Sequence, residues 1–288
     1  MDAHTSNRFT IEAQRAISRF RNIGPATLAT TIWRAARLHL RQPRRKPPTP
    51  RNERVVVTLT TVPARAKTLA AVLRGLLDQS EPADRIVLAL PRATRRGEPY
   101  PKLETMNLPA GIDVVRCDDE GPATKLLPTL KLEAGSVLIV VDDDVIYPHR
   151  FIETLLAAHR LAPGAALGFR GVQLAQGVRF PDLLHIFATG VDTPTPVDVL
   201  FGTWGYLLPP GAPGEDVHDF SDAPAEARWV DDVWISGHLA RAGIPRLVVV
   251  ADELPLETPS SLRASLTSGI NKSGQNDEIT LNAFAGHW

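Results

Sequence analysis

The chain has 288 residues, of which 43% are hydrophobic and 22% charged, enough apolar content to bury the core of one or two domains. No apolar stretch approaches the roughly 20 residues that a bilayer-spanning helix needs, the N-terminus has no signal-peptide apolar region, and the lone Cys117 excludes an intrachain disulfide. The formal net charge of zero conceals an asymmetry: residues 1–54 hold 12 Lys and Arg against 3 Asp and Glu, leaving 20 against 29 for the rest. A basic arm on an acidic body predicts a cytoplasmic protein, peripheral to the inner face of the cell membrane, with nothing that points to nucleic acid.

Residues 8–23 place Phe9, Ala13, Ala16, Ile17 and Phe20 at helical spacing among Arg8, Arg15, Arg19 and Arg21. Thr27 to Leu40 repeats the pattern, with Leu28, Ile32, Ala35 and Leu38 beside Trp33, Arg34, Arg37 and Arg41. Residues 8–41 therefore predict basic amphipathic helices that either lie on an anionic membrane or pack on the body. Gln42 to Arg54, with four prolines among basic residues, reads as an extended linker. The expected division is an extension over 1–53 and a catalytic domain over 54–288.

From Val55 the pattern changes to buried strand. Val55–Thr60 and Ile86–Leu90 enclose a helix over about 67–79, and a strand over 112–116 ends at Cys117-Asp118-Asp119. Gly121-Pro122-Ala123-Thr124-Lys125 opens a further helix. A strand from Ser136 then runs without alternation into Asp142-Asp143-Asp144. Strands and helices at this spacing form βαβ units with parallel strands, and no GxGxxG or P-loop sequence accompanies them. The three acids stand at the carboxyl end of a buried strand, where open α/β sheets bind ligands, and their mutual repulsion calls for a hard divalent cation.

A helix over 151–160 follows. In Leu200-Phe201-Gly202-Thr203-Trp204-Gly205-Tyr206, the glycines and aromatics suggest a substrate wall, and 211–227 reads as a mobile acidic loop. Asp231-Asp232 opens a helix that ends near Arg241-Ala242-Gly243. One carboxylate suffices as a cap, which leaves the other free to act as a general base. Ile244–Val250 is a last strand, and Asn271–Asp277 looks like a loop or lid.

In this order the motifs Thr60-Thr61-Val62-Pro63-Ala64-Arg65, Gly121–Lys125, Asp142–Asp144 with Val145-Ile146-Tyr147-Pro148, and Asp231-Asp232 resemble the GT-A nucleotide-sugar glycosyltransferases of the bacterial family-2-like group over residues 54–288. The resemblance implies an α/β fold, a Rossmann-like, mostly parallel sheet flanked by helices. It implies Mn²⁺ or Mg²⁺ on Asp142, Asp143 and Asp144, and a UDP-sugar or similar donor held by Thr60, Arg65, Asp118, Lys125, Asp142 and Asp143. A saccharide or glycolipid acceptor would lie near Gly202, Trp204 and Gly205, with inverting transfer through Asp232 or Asp231, in envelope polysaccharide or glycolipid synthesis. Relatives commonly carry Glu-Asp where this chain has Asp231-Asp232, which leaves the choice of base open. The competing readings are a haloacid dehalogenase-type phosphatase, for which Asp142 and Asp144 mimic the motif, and a non-enzymatic, metal-stabilised module recruited to membranes.

Overall fold

The computed structural model describes residues 13–14, 17, 19–43, 46–95, 97–258 and 274–288. Helix α1 (Pro25–Leu40) precedes β1 (Val55–Leu59), α2 (Ala70–Leu77), β2 (Arg85–Pro91) and β3 (Asp113–Cys117). Then come α3 (Leu127–Leu132), β4 (Val137–Val140), β5 (Val145–Ile146) and α4 (Phe151–Leu161). The second half holds the short strands β6 (Ala166–Gly168), β7 (Arg170–Val172), β8 (His185–Phe187), β9 (Thr195–Pro196), β10 (Val199–Leu200) and β11 (Tyr206–Leu208). Helix α5 (Asp231–Arg241), β12 (Arg246–Val248), β13 (Leu256–Glu257) and α6 (Gln275–Asn282) complete it.

Eight strands form one sheet in the order β3-β2-β1-β4-β11-β6-β12-β9. β1 to β4 are mutually parallel where they pair, with Val56 opposite both Arg85 and Leu138. That is the 3-2-1-4 half of a doubly wound nucleotide-binding sheet. β11 runs against both β4 and β6, whereas β12 returns parallel to β6. The result is the Rossmann-like, mostly parallel sheet flanked by helices that the sequence predicts. β1 and β4 are buried at every residue, which explains why neither alternates: α3 contacts β2, α4 packs near β6, and Val72, Leu73 and Leu76 of α2, which packs on α1 and β5, share one core with both strands.

Local differences from the expected elements have physical causes. Residues 62–69 form hydrogen-bonded turns, with Arg65 and Ala66 both donating to the Val62 carbonyl, so α2 starts at Ala70 and not at 67. Gly121–Lys125 is a tight 3₁₀ turn, and α3 begins only at Leu127. The acidic segment 211–227 is anchored: Val217 is buried, its carbonyl accepts from Trp234 Nε1 at 2.9 Å, and Phe220 stacks on Trp234 at 4.6 Å. α6 occupies part of the expected C-terminal loop, followed by Phe284, which fits into the space left by Gly237. Of that loop, 271–273 lie outside the described residues.

The described part of the basic leader packs on the body. Asn22 N–H donates to the Thr189 carbonyl, Thr189 Oγ1 donates to the Arg19 carbonyl, and Arg21 pairs with Asp192. In α1, Leu38 is 1% exposed, and Arg34 donates to the Asp78 carboxylate and to the carbonyls of Gly75, Asp78 and Tyr147. Much of the expected helix over 8–23 lies outside the described residues.

Candidate active site

The site is built where four segments meet at the carboxyl end of β1 and β4. The turn after β4 carries Asp142, Asp143 and Asp144; the loop after β1 carries Thr61 and Arg65; the 3₁₀ turn carries Lys125; and α5 opens on Asp231 and Asp232. Sheet register produces this convergence, because adjacent parallel strands end at the same level.

Lys125 is the hub. Its buried Nζ lies 3.0 Å from Asp142 Oδ1, 3.0 Å from Asp231 Oδ2 and 3.8 Å from Asp232 Oδ1. Burial alone would lower its pKa, but the facing carboxylates outweigh that and hold the ammonium protonated. Its pair with Asp231 lacks hydrogen-bond alignment, so that carboxylate oxygen is buried without a hydrogen bond. A Cβ at Gly202 would meet Lys125 Nζ and crowd Asp232 Oδ1, so a side chain there would push the ammonium out of its place among the carboxylates.

The three acids of the turn do not act alike. Asp143 is buried and uses both oxygens, accepting from Thr61 Oγ1 at 2.5 Å and from Arg65 Nη1 at 2.5 Å. Arg65 Nη1 also donates to Asp144 Oδ2 at 2.9 Å. Burial raises the Asp143 pKa against the pull of Arg65, and burial with the neighbouring Asp142 raises that of Asp144 to about 6. The Asp142 N–H donates to Tyr147 Oη at 2.8 Å, which fixes the start of the turn.

Asp231 and Asp232 are not caps. The residue at the cap position of α5 is Val230, and no side chain makes a capping hydrogen bond there. Asp232 Oδ1 accepts from the Gly202 N–H at 2.9 Å. Burial and the adjacent Asp231 raise the Asp232 pKa well above the ordinary carboxylate range, against the opposing charge of Lys125. Asp231 is buried behind Lys125, whereas Asp232 is partly open.

Five carboxylates thus face two cations, Lys125 and Arg65. That excess of hard oxygen donors, together with the raised pKa values, fits a divalent cation. Among the described residues no group of three or more His, Cys, Asp or Glu converges on one metal position. Asp142 and Asp144 are the accessible pair, and two carboxylates plus substrate phosphates is the usual way in which Mg²⁺ is held. Asp143, engaged on both oxygens, serves to place the turn.

Beside this cluster, beyond the ends of β2 and β3, lies an open cavity of about 480 Å³ lined by Arg92, Arg95, Cys117, Asp118, Glu120 and Arg228 among others. Asp118 lines it and is almost fully exposed. Thr60 does not join the cluster: its hydroxyl donates to the Ala89 carbonyl at 2.8 Å and ties β1 to β2.

No protein-family model and no curated protein matches the chain. Among solved structures, the chain is similar to the mannosyltransferase PcManGT from Pyrobaculum calidifontis in complex with GDP-Man and Mn²⁺, at 13% identity and a TM-score of 0.46 over 90% of this chain and 71% of that one. It is also similar to S. aureus TarS, at 15% identity and a TM-score of 0.48 over 72% of this chain and 37% of that one.

Two expected wall residues are in the core. Trp204 is 1% exposed and packs on Phe187, with ring centroids 4.8 Å apart, while the Arg19 guanidinium lies over its ring. Gly205, at φ +78°, brings its backbone against Phe151 and Tyr147, so both its conformation and its neighbours exclude a side chain. Core packing claims Trp204 and Gly205, whereas Gly202 and the Tyr206 hydroxyl face the charged cluster.

The sequence assigns no role to Thr61 or Tyr147, and reads Tyr206 only as one aromatic of the expected substrate wall. Thr61 lies in the loop after β1, and Tyr147 stands three residues after the acids, a position that marks it as a candidate neighbour of the turn. Tyr206 is the most informative of the three. Its hydroxyl is buried, has no hydrogen-bond partner among the described residues, and lies in the field of Lys125, Asp231, Asp232 and Asp142.

Proposed function

We propose that the chain is a metal-dependent glycosyltransferase that moves a sugar from a nucleoside-diphosphate donor to a hydroxyl acceptor. The observation that carries this reading is the convergence of Asp142, Asp144, Lys125 and Asp232 at the carboxyl edge of a 3-2-1-4 sheet. A cation held by Asp142 and Asp144 would supply charge neutralisation for the departing diphosphate. Lys125 adds a fixed positive charge beside it, and Arg65 holds the acidic turn in place. The cavity lined by Arg92, Asp118 and Arg228 has room for the nucleoside, and UDP is the nucleotide to test first.

Asp232 is the base in this reading. An acceptor hydroxyl has a pKa far above neutrality and must lose its proton as it attacks the anomeric carbon. Asp232 has the exposure and, with Oδ1 held by Gly202, the orientation to receive that proton; Asp231 is held behind Lys125. One base on the face opposite the leaving group corresponds to inversion. Residues 54–288 form the catalytic unit, and a glycolipid or polysaccharide acceptor of the cell envelope fits a protein working beside the membrane.

The test is a nucleotide-sugar panel with Mn²⁺, with Mg²⁺ and with chelator. Metal-dependent release of nucleoside diphosphate supports the transferase. Release of inorganic phosphate would identify the phosphatase alternative, and no turnover with any donor would leave the binding-module reading in its place.

A further inference from the structure

Helix α1 buries one apolar row and leaves a second one outside. Its inward face presents Leu28, Thr31, Arg34, Ala35 and Leu38; Arg34 bonds to the body, while the Thr31 hydroxyl donates back to the Thr27 carbonyl within the helix. The outward face carries Ala29, Ile32, Trp33, Ala36 and Leu40, at the three- and four-residue spacing that makes a continuous stripe. Ile32 is 54% exposed, Trp33 67% and Leu40 83%. A soluble surface rarely leaves a Trp, an Ile and a Leu in one exposed row. Ile17 and Phe20, earlier in the leader, are exposed too.

We propose that this stripe is a docking surface for an anionic lipid bilayer, on which α1 lies parallel to the membrane with Trp33 and Leu40 inserted at the level of the headgroups. Three observations favour that occupant. The stripe is bordered by the exposed Arg41, and Arg44, Arg45 and Lys46 follow directly in the sequence. Arg34, Arg37 and Arg51 pair with body carboxylates, but the run Arg41, Arg44, Arg45 and Lys46 holds no acidic residue, which opposes a second copy of the same surface and favours a negatively charged one. A 16-residue helix is about 24 Å long. An exposed strip of that length and roughly 10 Å width falls well short of the ~800 Å² per partner that a stable protein interface buries, while an interfacial helix needs only its apolar face and nearby cations. No helix among the described residues is long and apolar enough to cross a membrane.

The proposal does not depend on the transferase reading. Its test is flotation of the full chain with mixed phosphatidylcholine–phosphatidylglycerol vesicles and with pure phosphatidylcholine vesicles. The wild type is compared with an Ile32→Ser, Trp33→Ser, Leu40→Ser variant whose melting temperature verifies its fold. The expected result is flotation on the anionic vesicles that weakens with salt, little on neutral ones, and at least about a tenfold lower partition coefficient for the variant. A wild type that stays with the soluble fraction, a variant that floats as well as the wild type, or equal flotation on neutral vesicles would each overturn it. A concentration-dependent dimer that the same substitutions abolish, without vesicle binding, would assign the stripe to a second copy instead.

Discussion

At the scale of single residues, the site is a problem in charge placement, and three substitutions separate the roles assigned above. Asp232→Asn removes the proposed base and is expected to lower turnover by about 10²- to 10⁴-fold with donor affinity nearly kept. Asp231→Asn should act mainly through Lys125, on donor affinity and melting temperature; equal turnover losses from both would dissolve the distinction. Tyr206→Phe is a sharper probe. A buried hydroxyl without a partner costs about 1–3 kcal/mol, so its removal should leave the melting temperature unchanged or higher. If the hydroxyl serves the donor or the acceptor, turnover or donor affinity falls in the same variant, and an unaltered enzyme would return Tyr206 to a packing role. Asp144 gives a prediction with a pH sign. Its folded pKa of about 6 stands above the ordinary 3.8, so the folded state holds the proton more tightly than the unfolded chain. Without metal, the stability of the wild type relative to Asp144→Asn should therefore fall as pH rises from about 4 to about 6, by on the order of 2–3 kcal/mol. Added Mn²⁺ should raise the wild-type melting temperature more at pH 7 than at pH 5, since a cation relieves the same cost. A stability difference flat with pH would place Asp144 in water, away from the cluster.

At the scale of elements, α1 and the acidic turn are joined through one residue. Arg34 donates to the Tyr147 carbonyl at 2.6 Å, and the Tyr147 hydroxyl receives the Asp142 N–H. The fork geometry of arginine lets one side chain satisfy a carboxylate and three carbonyls, which lysine cannot reproduce. Arg34→Lys and Arg34→Met are accordingly expected to lose about 2–4 kcal/mol each in chemical denaturation, because Asp78 and its neighbours stay buried without enough donors. Full stability in either variant would show that Arg37 and Arg74 alone hold α1. This contact also marks a limit of reading from sequence. The periodicity of Thr27–Leu40 identified a helix, but periodicity cannot say which face turns inward when arginines have buried partners. Strands β1 to β4 were legible to within a residue or two, because continuous apolar runs ending in turns have few alternatives. The short strands β6 to β11 were not, since two or three residues carry no period, and Trp204 and Gly205 were misplaced with them. The acidic clusters were legible because acids at a strand end and at a helix start have few structural uses; the allocation of Asp143 to Arg65 and of Asp231 to Lys125 depended on side-chain geometry.

At the scale of the molecule, the basic leader and the acidic body are one folded object in the described residues, and their opposite charges meet in specific pairs. Arg21 with Asp192, Arg34 and Arg37 with Asp78, and Arg51 with Glu81 and Asp84 account for a good part of the leader's positive charge. The sequence suggests a detachable arm on a proline-rich linker, yet these contacts predict a different outcome for its removal. Cutting residues 1–53 would expose the surface that Leu38 covers, leave Asp78 without both of its guanidinium partners, and strip Arg74 of the Leu38 and His39 carbonyls that it bonds. Each buried group left unpaired costs roughly 1–3 kcal/mol, against a total stability of about 5–15 kcal/mol for a domain. The truncated chain is therefore expected to melt at least several degrees below the full chain. It should also lose turnover at temperatures where the full chain is still active, even with a soluble acceptor and no membrane present. Exposed pairs such as Arg21 with Asp192 contribute little to this, so raising the salt should narrow the difference only slightly. A truncated chain with wild-type melting temperature and turnover would instead make the leader an independent module, and the link from α1 to the acidic turn would lose its structural role.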